Sequence, residues 1–407
     1  MKKILIINYG NKPLPDVKGG GVESLIQMYI SQCKDLDITV ISYYDELAYA
    51  KSKEYKNVNF IYIKETLKFK VFRILRWFFN KYTNFYIGNE YIYQCRKKVE
   101  FNNFDVIISE NGINFGRYIK KYYNGKLVLH LHNDFLNKHT KNVNKIINSY
   151  DEIWALSEFV KHRIIEINKS AKVKVLYNGV DLELFSNKKN ILVQESVKNK
   201  YNINSNEKVF IYCGRIVEEK GIKQLILAFN NLCKNVENIK LLVIGSYNIN
   251  DSYYKEIKKI ANRNVKFTGY IPHEELSNIL SIGYCGIAPT VHLKKNYIND
   301  EYVGVIEGFN LTVVEYLGMG IPVVISNSGG MPELITDDCG IIVSSLEDDI
   351  VKELENGDVA LDDAINKFNE AIKLANSCNK TLEEATKTVN KVLNKEGNLE
   401  DFEKVDE

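Results

Sequence analysis

The chain has 407 residues, of which 45% are hydrophobic and 26% charged, with a formal net charge of +2; this excludes a disordered or fibrous chain and allows about two or three domains with large cores. The charge is uneven: Glu347 to Glu407 holds 17 acidic against 8 basic residues, net −9, leaving 46 basic against 35 acidic, net +11, in residues 1 to 346, as if body and tail had different partners. The seven cysteines form no C-x-x-C pair, which speaks against a zinc site or disulfide framework and for reduced thiols in the cytosol, and no apolar run reaches the roughly 18 residues that span a bilayer.

After Met1-Lys2-Lys3, the run Ile4 to Asn8 is too short for a signal peptide and reads as a buried parallel strand. Gly19-Gly20-Gly21 follows, then the helical pattern Val22, Leu25, Ile26, Tyr29, Ile30 and a strand from Ile38 to Ser42, a doubly wound opening. Glycines there let backbone approach a phosphate, but G-G-G is not the G-x-G-x-x-G fingerprint, and a plain flexible loop fits as well. Residues 66 to 100 combine Leu67, Val71, Ile74, Leu75 and Phe78 at helical spacing with Lys68, Lys70, Arg73, Arg76 and Lys81, and with Trp77 and Phe79. That pattern matches a membrane-surface helix or a core-packed helix with a solvated basic face.

Asp105 to Ser109 and Lys126 to His130 are further strands, the second running into Leu131-His132-Asn133-Asp134. Ligands gather beyond the carboxyl ends of parallel strands, which places His132 well for chemistry and leaves His130 pointing into the sheet. Strands at Ile153 to Ser157 and Val173 to Tyr177 lead to the turn Asn178-Gly179-Val180-Asp181 and Phe185, which closes a first domain, and the polar stretch Ser186 to Lys208 reads as the crossing to a second. The alternation restarts with a strand at Val209 to Cys213, Gly214-Arg215, the loop Glu218-Glu219-Lys220-Gly221, and a helix carrying Ile222, Leu225, Ile226 and Phe229. Leu241 to Gly245, Val265 to Gly269 and Gly286 to Pro289 are later strands. Arg215 and Lys220 at a strand end suit phosphate, or are simply surface charges.

The stretch Glu307 to Glu333 sets two carboxylates, Glu307 and Glu315, around a turn and a short apolar segment, followed by a strand from Ile321 to Ser326 and the loop Ser328-Gly329-Gly330. With Asn310 capping a helix, the N–H groups of Leu311 and Thr312 face a phosphate at the positive end of its dipole. On spacing alone, two solvated glutamates explain the pair at least as simply.

In this order, Gly19 to Gly21, His132, Asn178-Gly179-Val180-Asp181, Gly214-Arg215 with Lys220-Gly221, Gly269, the E-x7-E pair, and Gly329-Gly330 with Pro332-Glu333 resemble a glycosyltransferase of the GT-B fold, close to glycosyltransferase family 4, over about residues 1 to 345. The resemblance implies an α/β protein: a Rossmann-like acceptor domain over 1–185 and a Rossmann-like nucleotide-sugar donor domain over 186–346, facing a cleft. It implies a retaining transfer from a nucleotide sugar to a polysaccharide or lipid-linked acceptor, with His132 and Glu307 catalytic. Gly20, Gly21, Arg215, Lys220, Asn310, Leu311, Thr312 and Glu315 bind the donor, Arg215 and Lys220 neutralising its diphosphate and Glu315 taking the ribose, with no metal or other cofactor. The one Asp-x-Asp of the body, Asp35-Leu36-Asp37, precedes a strand and so falls at the end of the sheet away from ligand.

The tail departs from that family. Residues 347–407, with Leu354-Glu355-Asn356-Gly357-Asp358 between two helical patterns, resemble the small subunit of exonuclease VII and read as a helical hairpin. That resemblance implies an alternative function, an interaction protein whose tail binds an exonuclease VII large subunit. The expected location is cytoplasmic, and peripheral at the inner membrane surface, with an anionic membrane as partner, if the basic segment binds lipid.

Overall fold

The computed structural model describes residues 2–9, 12–33, 35–65, 71, 89–186, 190–293, 297–298, 301–302, 306–345, 391–393 and 399–401. The chain divides into two compact units, Met1–Asp181 with Val305–Leu311, and Leu182–Gly304 with Thr312–Glu407.

Unit 1 is built on β1 (Lys3–Asn8), β2 (Asp37–Tyr43), β3 (Val58–Ile63), β4 (Val106–Glu110), β5 (Lys126–His130), β6 (Glu152–Ala155) and β7 (Val173–Val175). All neighbours are parallel, in the order β3-β2-β1-β4-β5-β6-β7. Leu5 to Ile7 and Leu127 to Leu129 are buried residue after residue, the pattern of strands covered on both faces. Between β1 and β2 the helix Gly21–Gln32 turns Ile26 and Ile30 into a cluster with Ile6, Leu14, Ile38 and Val40. Fully burying each such side chain contributes about 1.5–3 kcal/mol.

Unit 2 repeats the plan with β8 (Lys208–Cys213), β9 (Ile239–Ile244), β10 (Val265–Gly269) and β11 (Gly283–Ala288). A short hairpin of β12 (Tyr297–Ile298) and β13 (Glu301–Tyr302) precedes β14 (Val323–Ser326) and β15 (Gly340–Val343). The main sheet is again wholly parallel, in the order β10-β9-β8-β11-β14-β15. The helix Ile222–Asn235 buries Ile222, Leu225, Ile226, Phe229 and Leu232 at helical spacing against Phe210, Leu241 and Val243. Near the end of the chain, β16 (Lys391–Leu393) pairs antiparallel with β17 (Leu399–Asp401).

The stretch expected as a polar crossing, Ser186 to Lys208, contains a helix, Ile191–Tyr201. Asn190 caps it by accepting from the N–H groups of Leu192 and Val193, and Asn202 ends it in the left-handed conformation at φ 54°. Val197 alone of its residues is buried, so no apolar stripe announces it. The expected C-terminal helical hairpin, apart from β16 and β17, and the basic aromatic segment from Leu67 to Lys81, apart from Val71, lie outside the described residues. Among the described residues no helix is long and apolar enough to cross a membrane.

Candidate active site

In an open parallel sheet, ligands bind beyond the carboxyl ends of the strands where the strand order reverses. Unit 1 reverses between β1 and β4, where Asn8 stands in register with Glu110, and Glu110 in turn with His130 of β5. Glu110, His130 and His132 are all buried there. His132 Nε2 lies 2.7 Å and His130 Nδ1 3.0 Å from Glu110 Oε2, while the Tyr29 hydroxyl donates to Oε1 at 2.7 Å. Burial, the largest influence, would push the Glu110 carboxyl up, but the contacts with His130 and His132 outweigh it and hold the group below the usual carboxylate range. Burial pushes the His132 imidazole down, against the raising effect of Glu110. An ionised carboxylate against a neutral imidazole satisfies both directions.

The ligand atoms of Glu110, His130 and His132 lie within 4.8 Å of one another and so are the group among the described residues with the donor types of a metal centre. Their closest separations are hydrogen-bond lengths, whereas tetrahedral ligands on a first-row ion stand about 3.4 Å apart, so holding an ion here requires the three side chains to spread.

The other predicted residues of unit 1 fall in two places. Gly20 is extended at the start of the helix Gly21–Gln32; a Cβ on it would clash with the Glu23 carboxylate, and one on Gly21 would lie 3.0 Å from Leu311 Cδ1. The N-terminus of this helix therefore already faces a carboxylate, a favourable dipole contact. Glu307, Asn310 and Leu311 belong to the short segment assigned to unit 1, where Phe309 is buried near Tyr177 and Gly308 packs on Leu156 and Val160.

Unit 2 reverses between β8 and β11. Cys213 ends β8 there, and its thiol is pushed up by burial first and by the Glu315 carboxylate second, while a hydrogen bond with Thr312 opposes them. The next residues, Gly214 and Arg215, open a loop held at three points. The Tyr212 hydroxyl donates to Arg215 O at 2.8 Å, Val291 N–H donates to Glu219 O at 3.0 Å, and Gly221, at φ +69°, passes so close to Pro289 O that no Cβ fits. Arg215 is exposed and Lys220 half-buried on that loop. Thr312 and Glu315 lie in the first turns of the helix Leu311–Gly318 and both bear on Cys213 at the end of β8, while Arg215 and Lys220 stand on the loop that leaves that strand. The E-x7-E pair is thus divided, Glu307 in unit 1 and Glu315 in unit 2.

Sequence reasoning did not single out Glu110 or His273, and it read Tyr29 only as part of a helical pattern. His273 Nε2 lies 2.9 Å from Glu315 Oε1, with the Phe185 ring 5.1 Å from its own. Glu110 was open to discovery by the rule that singled out His132, since both stand at carboxyl ends of neighbouring strands.

Two family models match the chain: "Glycosyltransferase Family 4" over residues 19–184 and "Glycosyl transferases group 1" over residues 193–392. A lipopolysaccharide 1,2-N-acetylglucosaminetransferase of Salmonella typhimurium is 29% identical over 256 residues, 60% of this chain and 61% of its own. The chain spans about half the length of the first four curated transferases it matches, from 35% to 61%. An exodeoxyribonuclease 7 small subunit of Geobacter sulfurreducens is 43% identical over 63 residues, 15% of this chain and 83% of its own. The fold is that of the Anabaena protein HepE solved with UDP-glucose, at a TM-score of 0.62 and 17% identity over 94% of this chain and all of that one. With two parallel Rossmann-like sheets and family matches in series from residue 19 to residue 392, the chain belongs to the GT-B glycosyltransferases of family 4.

Proposed function

We propose that the chain is a retaining, hexosyltransferase-like glycosyltransferase that moves a sugar from a nucleotide-sugar donor to a glycan or lipid-linked acceptor. The observation that carries this reading is the end of β8, where the strand order of unit 2 reverses: Thr312 and Glu315 bear on Cys213 there, and Arg215 and Lys220 are on the loop that follows the strand. Arg215, through its planar fork, and Lys220, as a point charge, neutralise the diphosphate and support its departure, so the reading needs no metal. The N–H groups of Asn310, Leu311 and Thr312, at the start of an eight-residue helix, take phosphate oxygens. Glu315 accepts from the ribose hydroxyls; in unit 1, Glu307 and His132 serve hydroxyls of the reacting sugar, and Gly20 and Gly21 are assigned to the donor by their place in the motif, although Glu23 and Leu311 fill the space beside them. The Salmonella relative, named for lipopolysaccharide, supports a polysaccharide or glycolipid acceptor. The 63 residues similar to a nuclease subunit are 15% of the chain and do not bear on these roles.

A panel of nucleotide sugars, each followed for transfer or slow hydrolysis, tests the activity. Arg215→Ala and Lys220→Ala are each expected to lower turnover by about 10²–10³ while the circular dichroism spectrum is unchanged. Full turnover by both variants would remove the phosphate role. Retention is read from the anomeric proton coupling of the product, and an inverted product refutes that part of the reading.

A further inference from the structure

His132 is held at two points in a buried setting. Its ring Nε2 meets Glu110 Oε2 at 2.7 Å, its backbone N–H donates to Asn111 Oδ1 at 2.8 Å, and both it and Glu110 are buried. Asn111 is fixed in turn by its left-handed backbone, φ 53°, and by donation from its own N–H to His130 O at 2.9 Å. Glu110 is equally constrained. Its other oxygen accepts from the Tyr29 hydroxyl at 2.7 Å, and Tyr29 comes from the helix Gly21–Gln32. His130 Nδ1 is 3.0 Å from the same Oε2 without the alignment of a hydrogen bond. His132 Nδ1 is buried with no hydrogen-bond partner among the described residues.

These contacts decide where the imidazole proton sits. An ionised carboxylate only accepts, so the nitrogen facing Glu110 must carry the proton, and in a neutral ring Nδ1 is then left with a lone pair. A buried acceptor with nothing to accept lowers stability and is retained where a ligand hydrogen completes the bond. We propose that Glu110 is a positioning residue: with Tyr29 and Asn111 it fixes His132 as the Nε2–H tautomer, so that Nδ1 is presented as an acceptor for a hydroxyl of the substrate. The inference rests on the transferase reading above for the identity of that hydroxyl, but the pairing itself stands on the geometry of unit 1.

The test is nitrogen NMR on the full chain labelled with ¹⁵N-histidine, the His132 signals being assigned by their loss in His132→Gln. The expected wild-type spectrum has a protonated Nε2 and an unprotonated Nδ1. Glu110→Gln, whose amide both donates and accepts, is expected to move His132 toward a mixture of tautomers. It is also expected to lower kcat by about 10- to 100-fold, as loss of an outer partner of a functional histidine does, with KM for the nucleotide sugar changing far less. Tyr29→Phe removes only the Oε1 bond and is expected to give a smaller loss of the same kind, which keeps the test open if Glu110→Gln folds poorly. A wild-type Nδ1–H tautomer overturns the proposal. So does a tautomer shift in Glu110→Gln with kcat unchanged, because the proton would then be fixed to no effect. A chain that turns over no nucleotide sugar refutes the transferase reading, while the nitrogen shifts still decide the Glu110–His132 pairing.

Discussion

Asp134, two residues beyond His132, has its Oδ2 3.2 Å from the Arg163 guanidinium and its Oδ1 buried without a hydrogen-bond partner among the described residues. Burial pushes its carboxyl up to about 6, against the pull of Arg163. A raised carboxyl pKa means that the folded form holds its proton more tightly than the unfolded one. The stabilisation is therefore complete below the unfolded value of about 3.9 and is lost as pH rises through about 6. Above that pH the fold carries a poorly solvated anion. Asp134→Asn is expected to match wild type near pH 4 and to exceed it by about 1–3 kcal/mol at pH 8, read from thermal midpoints at the two pH values. An equal difference at both would contradict the burial account. The same neighbourhood shows what a single sequence yields at this scale. His132 is legible because it follows a strand, and strand ends are where parallel sheets bind. Glu110 belongs to no spacing motif; it meets His132 because β4 and β5 pair in the register that sets Glu110 beside His130.

Among the elements, the loop from Gly214 to Gly221 determines where Arg215 and Lys220 stand, and Gly221 is its fixed point. At φ +69° and against Pro289 O, the position admits no side chain without strain. Gly221→Ala is expected to cost at least about 1–2 kcal/mol and to weaken nucleotide-sugar affinity by displacing the loop. Denaturant midpoints and a binding isotherm check the two effects, and unchanged affinity would free the loop from its assigned role. Deeper in the unit, Phe229→Ala in the helix Ile222–Asn235 is expected to cost about 3–5 kcal/mol with donor affinity retained in the folded fraction. Central strands such as β1, β5 and β9 were readable because both faces are buried and the apolar run is unbroken. The flanking strands β3 and β15 were not. Only Ile63 of β3 is buried, and β15 begins at Gly340 and runs four residues, so neither offers a long apolar run. The helix Ile191–Tyr201 escaped for the matching reason, a single buried residue in eleven.

At the scale of the whole molecule, a ligand that binds one unit stabilises that unit first. If the nucleoside diphosphate belongs at the end of β8, adding it at about 100 times its Kd contributes about 2.7 kcal/mol to unit 2. Hydrogen exchange in the presence of UDP or GDP is then expected to slow at β8, β9 and β11 and to leave β2 and β3 unchanged, whereas protection confined to unit 1 would place the donor elsewhere. The two-unit plan itself was readable from the repeated alternation of strand and helix. The assignment of Val305–Leu311 to unit 1 was not, because it follows from packing that no local pattern encodes. That assignment bears on how such a protein can be taken apart. The polypeptide passes from one unit to the other after Asp181, returns after Gly304 and crosses again after Leu311. A chimaera spliced once, at residue 181, would thus graft a foreign Glu307 and Phe309 onto the unit it meant to preserve. The halves of this chain are laced together rather than joined end to end, and they exchange cleanly only as two cassettes cut at three places.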